Sequence, residues 1–356
     1  MGCVSNCEGC VESGCDYTCP NNQDLYRRRL ADVDGLEECS ISTVLSPDAI
    51  ALPKYLPLIY HGSSRERALD CDFVAIPLFR VLRHLDRHTY GCRFRSPEEL
   101  RRFFKIKATA QVILVGVAVD RRLEWFWSKH RRDAIPESLD ALGCFGITAP
   151  NFSFFTDAPR YHILYNRKRI LLSMDRLSSG GVAVMPHLNA LTDHDWSFWL
   201  EFLREHEEVS VVAKEFQTGN RRRAPGDWSF QKMIELQQRL GRPLHPLLVG
   251  GGRYFQEAQA AFASFSVIDS QPFMQAINRK RLAEERGRLE FLDNPLPEKA
   301  PVDALLENNV VKYPEKLVQQ HGDIEQTAAI DTGTAVFEFF NSIPNLTSHP
   351  IAPGIS

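Results

Sequence analysis

Eight short apolar runs punctuate the chain, at residues 55–60, 72–78, 112–119, 145–149, 181–185, 209–213, 247–250 and 265–268. Runs of this length, several of them followed by Gly or Pro, are the pattern of strands buried on both faces. Between them apolar positions recur every three or four residues, which predicts helices over 79–87, 97–104, 121–130, 160–172, 193–205, 228–240 and 254–263. Helix start signals support several of these: Ser96-Pro97 with Glu98 and Glu99, Thr192-Asp193, and Gly226-Asp227. Eight strands alternating with helices in mostly parallel order predict an α/β fold of the (β/α)8 TIM-barrel type. An open doubly wound sheet is the alternative, although no Gly-x-Gly-x-x-Gly follows an early strand and no Walker A sequence is present.

The ends of the chain read differently. Residues 21–38 carry Leu25, Leu30, Val33 and Leu36 among Arg and polar residues, as an amphipathic helix packed on the body would. After Arg281 the pattern predicts a charged helix at 282–289, a Pro-rich linker over 293–302 and helices at 303–308, 314–320 and 324–342, with an irregular tail from 344. The expected organisation is a Cys-rich arm and helix (1–45), a barrel (46–290) and a linker with a helical tail (291–356). No apolar run approaches the roughly 18 residues that span a bilayer. With no secretory signal at the start, a cytoplasmic protein without membrane contact is expected.

Charge adds local detail. The net charge of −3 over 356 residues gives no global attraction to nucleic acid. Positive charge is nevertheless clustered, at Arg221, Arg222 and Arg223 and at Arg279, Lys280 and Arg281, both just after strand ends. Such patches bind phosphates in spite of an acidic total, and they also occur as plain solvated faces.

Five of the nine cysteines, Cys3, Cys7, Cys10, Cys15 and Cys19, fall in the first nineteen residues. Without an export signal they read as metal ligands rather than disulfides. Structural Zn²⁺ held by four of them is the preferred reading, an iron–sulfur cluster the alternative, and unligated redox-sensitive thiols the third. Cys3, Cys7 and Cys10 also have radical-SAM spacing, but that cluster normally follows a first barrel strand, and here only two residues precede it.

The segment from Leu247 to Arg281 carries the sharpest functional signal: a strand, the Gly250-Gly251-Gly252 turn, an Ala-rich helix, and a strand ending in Ile268-Asp269-Ser270. β/α barrels place their chemistry at strand C-termini, though a strand-terminal Asp can also simply cap the next helix. The segment resembles the end of the barrel in the tRNA-guanine transglycosylase superfamily, where a strand ending in Gly-x-Gly precedes one ending in Phe-Asp-Cys or Phe-Asp-Ser. That resemblance, over roughly a tenth of the chain, implies that Asp269 is the nucleophile that displaces guanine from its ribose.

Other strand ends supply further candidates, with departures from the family pattern. Asn151 stands where the family carries an Asp acting as acid/base, and an amide cannot shuttle a proton near neutral pH. Glu215 is placed to supply the missing acid or to pair with Lys214 at the rim. His187 and Asn189 alternate along one strand and are positioned to read a base edge, or to serve as hydrogen-bonded structural residues. Gln217 or Lys214, with the backbone at Gly251, is expected to contact the base, and Phe152 to stack on it or to join the core. The family's zinc site after the catalytic Asp has no counterpart, because no Cys follows 144. The chain therefore looks closer to relatives that insert 7-deazaguanine bases into DNA than to those acting on tRNA. The implied partners are DNA, or RNA, a 7-deazaguanine base and an accessory protein of a DNA-modification system, with the arginine clusters on the phosphate backbone. The competing readings are a non-catalytic nucleic-acid-binding or phage-defence-associated barrel and, further off, a radical-SAM iron–sulfur enzyme.

Overall fold

A computed structural model describes residues 23–36, 41, 44–47, 52–86, 88–129, 134–156, 158–217, 219–297 and 299–331, with the side chains of 320–331 outside the description. The five N-terminal cysteines and residues 332–356 lie outside the described residues.

All eight apolar runs overlap a strand. These are β1 (Tyr55–Pro57), β2 (Phe73–Pro77), β5 (Gln111–Val115), β6 (Gly146–Thr148), β7 (Val184–Met185), β8 (Val211–Glu215), β9 (His245–Val249) and β10 (Ser266–Asp269). They form two four-stranded parallel sheets, β1-β10-β9-β8 and β2-β5-β6-β7, in a mixed α/β architecture. Isolated parallel bridges link the sheets at both edges, Leu58 to Ala75 and His187 to Ala213. At the first, Ile59 N donates to Ala75 O at 2.9 Å; at the second, Leu188 N donates to Ala213 O at 2.8 Å.

Strand parity divides the core in two. Leu56, Ala75, Ile113, Met185, Ala213, Leu247 and Ile268 belong to a cluster shared by the two sheets. The alternate residues Tyr55, Val74, Val112, Val184, Val212, Leu248 and Val267 pack in a larger cluster with the helices.

Those helices are α1 (Gln23–Val33), α2 (Leu78–Val81), α3 (Pro97–Phe104), α4 (Asp120–Lys129), α5 (Ile135–Asp140), α6 (Arg160–Ser179), α7 (Asp193–Glu205), α8 (Arg223–Leu240), α9 (Phe255–Ala261), α10 (Gln271–Ile277) and α11 (Asp303–Asp331). The start signals act as expected at α3, where Ser96 Oγ accepts from Glu99 N, and at α7, where Thr192 and Asp195 form a capping box. Helix α1 packs on α6 through buried Tyr26 and half-buried Asp32, whose Oδ2 accepts from Tyr165 of α6 and Trp127 of α4 at 2.6 Å each.

Three expectations are corrected. The helix expected over 79–87 stops at Val81, and the chain enters a hairpin of β3 (Leu82–His84) and β4 (Tyr90–Cys92). Asp86 Oδ1 accepts from the amides of His88 and Thr89 at 2.7 Å each, a turn that competes with helix continuation. The charged helix expected at 282–289 is a second hairpin, β11 (Lys280–Glu285) and β12 (Arg288–Asp293). Its turn takes positive φ at Arg286 (52°) and Gly287 (81°), and period-2 alternation buries Leu282 and Leu289. The expected domain boundary at residue 290 thus falls inside a strand.

The separate helices expected beyond 303 are one helix, α11, with Pro314 inside it. Proline costs a helix about 3 kcal/mol. Here the cost is offset by an unbroken buried stripe, Leu305, Leu306, Val310, Tyr313 and Leu317, laid against α10 and the second hairpin.

Fully buried Asn309 fastens α11 in place. Its Oδ1 accepts from Leu282 N at 2.6 Å, and its Nδ2 donates to Lys280 O at 2.9 Å and Pro272 O at 3.3 Å. Asn309→Ala leaves those backbone groups unsatisfied and is expected to lower the unfolding free energy by about 2–3 kcal/mol. Urea titration would show this as a lower midpoint with an unchanged slope.

Candidate active site

Asp269 is the last residue of β10, and by parity it shares the helix side with Val267 rather than the inter-sheet side with Ile268. Its Oδ1 accepts from Gln271 N at 2.8 Å, and its Oδ2 accepts from the Tyr313 hydroxyl of α11 at 2.8 Å. Gln271 Oε1 is 2.9 Å from the same hydroxyl. Burial raises the proton affinity of Asp269, and the hydrogen bonds from Gln271 and Tyr313 act against it. Tyr55 of β1 stands beside this group, its ring 5.0 Å from that of Tyr313. Its hydroxyl is buried without a hydrogen-bond partner among the described residues, and burial, followed by the charge of Asp269, pushes its phenol well above the usual range.

Asp269 opens on a cleft of about 460 Å³ bounded by the loops after β8, β9 and β10 and by Tyr313. Gln217 and Arg221 come from the first loop, Gly250, Gly252 and Arg253 from the second, and Ser270 and Gln271 from the third. Gly250 has φ +71°, and a side chain there would meet Gln217 Cγ at 2.3 Å, so only glycine fits this turn. Arg253 is committed to structure: its guanidinium donates to Arg221 O at 2.8 Å and Asn220 O at 2.7 Å, holding the 3-10 turn Gly219–Arg221 at the rim. The side chain of Arg221 is exposed there.

Of the residues expected to share a site with Asp269, Gln217 and Arg221 line the cleft and most others do not. Asn151 and Asn189 bond to each other, Asn189 Nδ2 donating to Asn151 Oδ1 and to Phe152 O at 2.9 Å each. Phe152 is buried in the core, with Arg169 stacked 3.9 Å from its ring centre and Trp127 edge-on to it. His187 is buried, its Nδ1 has no hydrogen-bond partner among the described residues, and burial followed by the charge of Lys214 pushes its pKa down to about 3. It is therefore a neutral imidazole at ordinary pH.

Lys214, also buried, donates to Leu188 O at 3.0 Å; burial lowers it to about 8, against the opposing pull of Glu215 and Asp195. Glu215 is buried and accepts from the backbone amide of Gln217, which fixes the start of the rim loop. Gly251 does not line the cleft, and a side chain there would meet Leu248 and Phe216.

The basic clusters separate as well. Arg222 and Arg223 are exposed at the start of α8, next to Arg221. Arg279, Lys280 and Arg281 do not line the cleft: α10 intervenes, Arg279 Nη2 reaches Ala300 O at 3.5 Å, and Lys280 pairs with Asp293 across the hairpin at 3.5 Å. Sequence reasoning missed Tyr313, Gln271 and Tyr55. The available signal for Tyr313 was its place on the apolar stripe of α11, obscured by the adjacent Pro314.

Among the described residues no three His, Cys, Asp or Glu side chains form a group able to hold a metal ion, and no helix is long and apolar enough to cross a membrane. No family model and no curated protein matches the chain.

The raised proton affinity of Asp269 has a stability consequence. Between the ordinary carboxyl value and the raised folded value, the folded chain binds more protons than the unfolded one, so this residue's contribution to stability falls as pH rises through that window. Asp269→Asn removes the buried charge and is expected to raise the thermal midpoint at neutral pH. In acid the gain should vanish, as differential scanning calorimetry at the two pH values would show.

Proposed function

We propose that the two sheets close into one eight-stranded (β/α)8 barrel, and that the chain is a transglycosylase-type enzyme that exchanges guanine in DNA for a 7-deazaguanine base. The two edge bridges support closure, since with them the eight strands follow one another in chain order around a ring. The observation that carries the function is Asp269: a carboxylate at the end of the eighth parallel strand, oriented by two donors and opening on a cleft of nucleotide size with an arginine at its rim.

In the proposed reaction a carboxylate oxygen of Asp269 attacks C1′ as the bond from C1′ to guanine breaks, and the electron pair leaves with the base. The resulting sugar–Asp269 ester is then attacked at C1′ by the incoming base, which frees the carboxylate; the entering base gives its N–H proton to solvent, as the departed guanine anion takes one from it. Gln217 offers amide hydrogen bonds to the base, and Arg221 offers charge to the leaving base or the adjacent phosphate. No step passes through the N-terminal thiols.

A specific observation favours a second reading, a non-catalytic nucleic-acid-binding protein: both oxygens of Asp269 already accept hydrogen bonds, and the residue lies on the helix side of its strand. Mass spectrometry separates the two readings. Incubation of the protein with DNA and a 7-deazaguanine should yield the modified nucleoside and, on quenching, a covalent protein–DNA adduct, both abolished in Asp269→Ala. DNA binding with neither product in the wild type would leave the second reading.

Arg221→Ala is expected to weaken DNA binding about tenfold and to lower the salt slope by roughly one counterion. Fluorescence anisotropy across a salt series measures both.

A further inference from the structure

The hydroxyl of Tyr313 has one proton and two acceptors within reach, Asp269 Oδ2 at 2.8 Å and Gln271 Oε1 at 2.9 Å. Both bonds cannot be made from the phenol at once. The two ends of a glutamine amide are interchangeable by rotation, so Gln271 can present its NH2 to the phenol oxygen instead. The phenol proton is then committed to Asp269, and the charged carboxylate holds one donor on each oxygen, Gln271 N and Tyr313 Oη. The opposite arrangement, with the phenol proton given to Gln271, sets a lone pair of Tyr313 against Oδ2 and requires a protonated Asp269.

Tyr313 is well placed to impose the first arrangement. It is almost fully buried on the stripe that docks α11, its ring is packed by Tyr55 and Phe291, and Leu317 one turn on lies against Gly252. The ionisable groups facing Asp269 are Tyr55 from β1, Tyr313 from α11, and Arg221 and Arg253 across the cleft. Among them only the Tyr313 hydroxyl is hydrogen-bonded to the carboxylate.

We propose that Tyr313 is a positioning residue for Asp269: the C-terminal helix completes the site by donating a hydrogen bond to Oδ2, with the Gln271 amide directing the phenol proton. As a role in catalysis this rests on the transglycosylase reading. As a statement about proton placement it does not. Helix α11 is then a working part of the site, and residues from β10 alone do not make a competent carboxylate.

The test is a ¹³C NMR titration of the full-length protein with labelled aspartate carboxyls, the Asp269 signal being assigned by its loss in Asp269→Asn. Tyr313→Phe removes the donor and keeps the ring, and should move the titration of Asp269 up by about one unit, a tenfold change in proton affinity. A 3-fluorotyrosine at 313, a stronger donor, should move it down. The order fluorotyrosine, tyrosine, phenylalanine supports the proposal; an unchanged or lowered value in Tyr313→Phe overturns it. Should Tyr313→Phe not fold, the fluorotyrosine protein decides, a downward shift supporting the proposal and no shift or a rise overturning it. If the titration behaves as expected while no protein–DNA adduct forms, the positioning role stands and the transglycosylase reading falls.

Discussion

In a parallel strand consecutive side chains leave on opposite faces, and this parity governs where the functional candidates of this chain end up. Ile268 joins the cluster shared by the two sheets, so its neighbour Asp269 turns to the helices, where Tyr313 and Tyr55 receive it. On β8 the same rule places Glu215 in register with Val211 and Ala213 and sends Lys214 the other way, under Trp196 and onto Leu188 O. Residues that sequence order sets side by side at strand ends therefore belong to different compartments. A shift of one residue in the register of β10 would exchange Ile268 and Asp269 and remove the carboxylate from its cleft.

The loops after β6 and β7 are organised by a buried charge. Arg160 and Arg167 of α6 both reach Asp195 Oδ1, at 2.6 and 3.2 Å, while Oδ2 accepts from Leu191 N, Thr192 N and the Thr192 hydroxyl. Burial by itself would push this carboxyl up; Arg160 and then Arg167 hold it below the usual range. Buried ion pairs are a poor source of net stability, and their value here is in fixing one arrangement of α6 against α7. That arrangement sets Trp199 Nε1 on Asn189 O at 2.8 Å, and Asn189 in turn braces Asn151 and Phe152. Asn151 is thus spent on structure.

How much of this was visible in the sequence depended on how local the cause was. The eight strands declared themselves because a short apolar run between turn residues has few other uses in a globular chain, and α3 and α7 because their caps are encoded within four residues. The hairpins and α11 were misread because their causes are not periodic: Asp86 closes a turn with its own side chain, Gly287 accepts a positive φ, and Pro314 is tolerated only because a buried stripe continues across it. The Asp269 cleft was half visible. Its nucleophile candidate and Gln217 lie beside strand ends, whereas Tyr313 comes from 44 residues further along the chain and no spacing connects them.

A lone carboxylate in the cleft also constrains which reaction the proposed site suits. Among the described residues that line it, Asp269 is the one acidic side chain, and the rest are two amides, two guanidiniums, a phenol, the Ser270 hydroxyl, the apolar Phe216 and Met274, and two glycines. Hydrolysis by the two-carboxylate scheme needs a second group to activate water, and the candidates at the neighbouring strand ends are engaged elsewhere: Glu215 on the amide of Gln217, His187 buried and neutral. Exchange of one purine-like base for another makes a smaller demand. Leaving and entering groups are of the same chemical kind, so no net proton is consumed: the guanine anion takes its proton from solvent, the entering base returns one to solvent, and donors such as Gln217 and Arg221 stabilise the anionic base in both directions. A site built of one oriented carboxylate and non-titrating donors is therefore better matched to base exchange than to hydrolysis. The same economy makes the orientation of Asp269 by α11 the property on which the proposed chemistry most depends.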